Sequence, residues 1–77
     1  MMHILEDAEA LLAEGLDAAL IGYTVGSNVV AVYDYEKCIQ VLMKANRWAY
    51  EEAQEWMDYN VLGSYHGDKT PIFIARD

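Results

Sequence analysis

Apolar positions recur with a helical period from His3 to Glu14, where Ile4, Leu5, Ala8, Leu11 and Leu12 share one stripe. Glu6, Asp7, Glu9 and Glu14 lie off it, and acids near a helix start complement the helix dipole. Gly15 stands where a helix C-cap belongs. The spacing predicts a first helix over 3–14. The pattern then changes to runs rich in β-branched and aromatic residues, Ala19–Thr24 and Val29–Tyr35, on either side of "VGSN". Gly26 and Asn28 tolerate the positive φ of a tight turn, so this region predicts a β-hairpin. In its second run Val30, Val32 and Asp34 point one way, and Val29, Ala31, Tyr33 and Tyr35 the other. Both faces are rather apolar. Such a strand is either covered on both sides or presents its second face to a partner.

Helical spacing returns over Glu36–Ala45, with Asp34 as a candidate N-cap. Cys38, Val41, Leu42 and Ala45 form the predicted buried stripe, flanked by Ile39. A third helix is predicted over Tyr50–Asn60. It turns Ala53, Trp56 and Met57 inward and carries Glu51, Glu55 and Asp58 along another face, with Glu52 nearby. Asn46 can end the second helix. A single bent helix from Glu36 to Val61 is the alternative, because "KANRWAYEE" contains neither Gly nor Pro. Pro71–Ala75 predicts a short edge strand. The order α-β-β-α-α-β predicts a small two-layer α+β fold, with about three antiparallel strands packed on helices, as one domain over 1–77.

A chain of 77 residues buries a limited fraction of its surface, so oligomerisation is an ordinary source of extra stability. A hydrophobic content of 55% predicts a folded core. Thirteen acids against five bases leave a net charge of −8, which argues against nucleic acid and against anionic membranes as partners. It leaves a basic protein partner, mimicry of a nucleic acid, or plain solubility. Cys38 is the single cysteine, too few for an internal disulfide or a zinc site, and fits a reducing compartment. "MMHILEDAEALLAEG" lacks the basic start and uninterrupted apolar run of a signal peptide, and no segment approaches the roughly 18 apolar residues of a membrane span. The expected location is the cytoplasm.

The stretch "YNVLGSYHGDKTPIF" (Tyr59 to Phe73) collects letters that suggest chemistry. His66, Asp68 and Tyr65 or Ser64 could serve acid–base or nucleophilic work only by converging on one proton, which close sequence neighbours rarely do. The structural reading accounts for the same residues: Gly63 ends the third helix, Gly67 and Asp68 form a turn, and Thr70–Pro71 leads into the last strand. No G-K-[ST] follows the glycines, so they make no phosphate loop. His3, His66 and Cys38 show no metal-ligand spacing. No catalytic residue, metal or cofactor is predicted.

"YEKCIQVLM" followed by "YEEAQEWMDYNVLGSYHGDKTPIF" resembles a group of small proteins of tailed phages and prophages. The group shares a Y-x-K-C-I-x-V-L-M helix, a Y-E-E-A helix, an aromatic-Asn-V-x-G-x-Y segment and G-x-x-T-P-I-F. The match covers Tyr35 to Phe73 and carries no assigned activity. Members place Thr or Ser before Y-E-E-A, completing a capping box, whereas this chain has Ala49. The resemblance implies a small acidic phage protein that acts by binding a host protein. The predicted contact is the acidic ridge Glu51, Glu52, Glu55 and Asp58, with Trp48 and Tyr65 as anchors. Like charges at this spacing cost an isolated helix a few tenths of a kcal/mol per pair, and a basic partner offsets that. Should the first and third helices pack side by side, their acids would merge into one negative surface. The alternative is an accessory module that forms a homodimer through the hairpin face, with no host target.

Overall fold

The first helix, α1, spans only Met2–Asp7. A computed structural model describes residues 1–76 of the chain. Glu9 adopts φ 58°, its N–H donates to Glu6 O at 3.0 Å, and Ala10 N–H donates to Leu5 O at 2.9 Å. This is a Schellman closure, formed well before Gly15. The expected helix over 3–14 is therefore corrected. So short a helix gains little from further turns of its own, and the following backbone has partners elsewhere. Leu11 N–H donates to Lys69 O at 3.2 Å, and Ala13 N–H to the Tyr33 hydroxyl oxygen at 2.8 Å. Leu11 and Leu12, expected in the buried stripe, are instead partly exposed.

A single 3₁₀ turn, Asp17–Ala19, leads into β1 (Leu20–Tyr23), which pairs antiparallel with β2 (Ala31–Asp34). The register steps between Leu20↔Tyr33 and Gly22↔Val32, leaving Ile21 as the extra residue of a bulge. Thr24 fastens the connecting loop. Its N–H donates to Val30 O, its hydroxyl donates to Asn28 O, and Val30 N–H donates back to that hydroxyl. β3 (Ile72–Ile74) completes a sheet of order β1-β2-β3. β3 runs parallel to β2, so the expected all-antiparallel sheet is corrected to a mixed one. The reason lies in the connection, because the chain between β2 and β3 passes through both long helices and returns to its starting end, as a parallel crossover requires.

Asp34 ends β2 and caps α2 (Tyr35–Asn46), accepting from Lys37 N–H at 3.1 Å, as expected. Arg76 grips the second carboxylate oxygen with Nε and Nη2 at 3.0 and 2.8 Å. These contacts, the Lys37 amide first, hold the Asp34 carboxyl below its ordinary range. α2 ends at Arg47, which takes φ 57°, and Trp48 N–H closes onto Met43 O at 3.1 Å. Residues 36–61 thus form two helices, and α3 spans Tyr50–Met57. Half of the capping box survives at its start, since Glu52 Oε1 accepts from Ala49 N–H at 3.3 Å while the alanine methyl offers no return acceptor. The helix then widens into a π-helical turn, Asp58–Leu62, before Gly63.

The buried residues form one cluster. Leu5, Leu16, Cys38, Ile39, Leu42, Ala53 and Met57 meet Ala31 and Tyr33 on one face of the sheet, so the helical layer covers that face. Tyr33 is fully buried, and its ring stacks on Phe73 at 5.2 Å. In α2 the buried centre lies at Ile39 rather than Ala45, which is exposed. The other face of the sheet carries Val32 beside exposed Ile72 and Ile74. These elements make a small α+β domain with a three-stranded mixed sheet. Among the described residues no helix is long and apolar enough to cross a membrane.

Candidate functional site

Glu51, Glu52, Glu55 and Asp58 are all exposed along α3 and its π-helical end. Among the described residues the only salt bridge is Arg76–Asp34, so no lysine or arginine of the chain neutralises this ridge. Two phenol–carboxylate bonds fix α3 on α2. Tyr50 Oη donates to Glu36 Oε2 at 2.8 Å, and Tyr35 Oη donates to Asp58 Oδ1 at 3.3 Å. The Glu36 carboxylate raises the Tyr50 hydroxyl pKa, whereas burial first and the Asp58 charge second raise that of Tyr35. Both phenols therefore remain donors at neutral pH. Asp58 is thus partly committed to the fold, while Glu51 and Glu55 have no hydrogen-bond partner among the described residues.

Trp48, Glu52 and Glu55 meet Trp56, Tyr59 and Asn60 around an open cleft of about 330 Å³. Its walls are the two indoles, with ring centroids 6.3 Å apart and planes inclined at 43°. The left-handed closure at Arg47 turns the chain so that Trp48 stands beside α3. Trp56 was expected in the core but is 36% exposed, because Ala53 and Met57, one turn apart, occupy the centre of the buried face and leave it on the flank. Trp56 and Tyr59 were not among the predicted site residues. The signal was in the sequence nonetheless: Glu52–Trp56 and Glu55–Tyr59 are both i,i+4 pairs and so neighbours on the helix surface.

Tyr65 stands apart from this cleft. It is 76% exposed and lines a separate recess with Thr24, Val30, Asp68 and Ile72. The first helix does not pack side by side with α3, although Glu14 lines a groove that shares Trp56 and Asn60 with the cleft. Glu9 is the left-handed residue after α1, Glu14 lies in the segment beyond it, and the helix packed against α3 is α2. The expected merged acidic face is thus corrected.

A larger apolar groove of about 590 Å³ lies between Leu11, Leu12 and Leu16 on one side and Trp56, Val61 and Phe73 on the other. Trp56 and Asn60 line both the groove and the cleft, so the two are adjacent. His66 also lies along the groove, exposed. Its stretch is built as a turn. Thr70 N–H and hydroxyl both donate to Gly67 O, and His66 N–H donates to the same hydroxyl. Gly67 has φ 91°, a conformation that favours glycine. Ser64 donates its hydroxyl to Asn60 O. Cys38 is fully buried, and burial first, with Asp34 second, pushes its thiol pKa up to about 11, the opposite of a nucleophile. Among the described residues no group of three or more His, Cys, Asp or Glu is placed to hold a metal ion.

Comparison with protein-family models, with curated proteins and with solved structures finds no match. The functional reading therefore rests on the chemistry of this surface.

Proposed function

We propose that this chain is a small acidic interaction protein of phage type that binds a basic surface of a host protein. One observation carries the reading. Glu51, Glu52 and Glu55 project from a helix fixed to the core, no base of the chain pairs with them among the described residues, and two of them, Glu52 and Glu55, line an exposed aromatic cleft. Interfaces typically combine such aromatic anchors with complementary charge. Occupying a basic surface excludes the anionic ligand that surface would otherwise hold, so binding of this kind is inhibitory. The test is affinity capture from bacterial lysate with wild type and a Glu51→Lys/Glu55→Lys variant in parallel. Asp58 is spared because it holds Tyr35. A stoichiometric basic partner lost with the variant supports the reading, while a partner retained at full yield contradicts it.

The exposed pair Ile72 and Ile74 beside Val32 favours a second reading, an accessory homodimer formed through the outer face of the sheet. A dimer at micromolar concentration in light scattering, dissociated by Ile72→Glu, supports it. A monomer at that concentration removes it.

A further inference from the structure

The cleft beside the ridge has the composition of a receptor for one kind of side chain. The rings of Trp48 and Trp56 lie with centroids 6.3 Å apart and planes inclined at 43°. Tyr59, 85% exposed, adds a third ring. Glu52 and Glu55 supply negative charge, and no basic residue lines the cleft. Glu52 gives one oxygen to Ala49 N–H, and Glu55 has no hydrogen-bond partner among the described residues. An aromatic face attracts a cation through its quadrupole, and two nearby carboxylates add directly to that attraction.

We propose that this cleft receives the guanidinium of an arginine on the partner protein, stacked on an indole and paired with Glu55 or Glu52. The inference rests on the basic-partner reading above and specifies the chemistry of its anchor. Arginine fits better than lysine because the guanidinium is planar, weakly hydrated and forked. It stacks on an aromatic ring and meets a carboxylate with two donors at once. An ammonium gives up more hydration and offers no plane. A neutral side chain would desolvate the carboxylates with nothing in return.

Trp48 and Trp56 are the only tryptophans of the chain; Trp56 also borders the apolar groove but Trp48 does not, so a shift of both indoles together reports on the cleft. The experiment titrates the full-length protein with Ac-Gly-Arg-Gly-NH₂, following the two indole N–H resonances and the tryptophan fluorescence. Matched peptides carry lysine or citrulline, the latter isosteric with arginine but uncharged. The expected result is a saturable shift of both indoles with the arginine peptide, a weaker one with lysine and none with citrulline. Glu55→Gln, at an exposed position, weakens the arginine response several-fold, and Trp56→Leu weakens it about tenfold. An equal response to citrulline, or indoles unmoved at saturating peptide, overturns the proposal. The broader reading fails separately. A captured partner that needs Glu51 and Glu55 but binds Trp48→Leu at full affinity would leave the basic-partner reading standing and remove the arginine cleft.

Discussion

Replacing Tyr33 by phenylalanine should loosen the N-terminal segment without emptying the core. The ring is fully buried and stacked on Phe73 at 5.2 Å, and a phenylalanine ring keeps that packing. What is lost is the acceptor for Ala13 N–H, 2.8 Å away in a partly buried setting. A net hydrogen bond contributes about 1 kcal/mol, and a donor left without a partner adds to the loss, giving about 1–2 kcal/mol in all. For a domain of this size each kcal/mol lowers Tm by roughly 4–8 °C. Tyr33→Ala, which also removes the ring, should cost about 3–5 kcal/mol. Urea denaturation measures both variants. Amide exchange locates the effect, since Ala13 should lose protection in Tyr33→Phe while β2 keeps its own. The variant would refute the reasoning if it stayed within about 0.5 kcal/mol of wild type with Ala13 still protected. The hydroxyl would then not be what holds residues 10–15 against the sheet.

Ala49→Ser should complete the half-formed capping box and stabilise the protein by about 1 kcal/mol, because Ala49 already has the extended N-cap conformation and Glu52 already accepts its N–H; thermal denaturation reads the gain. Arg47→Gly should be stabilising by about 0.5–1 kcal/mol, since φ 57° is a conformation that glycine adopts without the Cβ penalty; an equal loss in urea melts would show that the arginine side chain compensates for its backbone. Asp34 should stabilise the fold above its ordinary value of about 3.9, with that contribution lost as pH falls through its lowered folded-state value. Asp34→Asn, which keeps a good N-cap but loses the charge facing Arg76, should be less stable than wild type at pH 7, and the difference should shrink in acid.

The parts of this fold that were legible in the sequence are those decided by neighbours. Asp34 before an apolar helical period, Gly67-Asp68 before Thr70-Pro71 and the hairpin loop at Gly26 all express local chemistry. The errors share a different cause. The period through Leu11 and Leu12 is genuine, but the Lys69 carbonyl and the Tyr33 hydroxyl, both distant in sequence, claim the amides of Leu11 and Ala13. β3 looked like a third antiparallel strand because strand direction depends on the path of the whole crossover, and no local pattern records that path. The site followed the same division. The acidic ridge was visible as helix spacing. The partnership of Trp48 with Trp56 was not, since it depends on a left-handed arginine where glycine or asparagine is usual.

The central claim is that exposed carboxylates on α3 bind a basic partner. The most direct measurement is the affinity of the captured partner for wild type and for Glu51→Lys/Glu55→Lys across a range of salt concentrations. The account predicts wild-type affinity that falls steeply as salt rises, and a variant that binds at least tenfold more weakly at low salt, with the gap closing as salt screens both. Affinity that ignores salt, and is the same for both proteins, would contradict it.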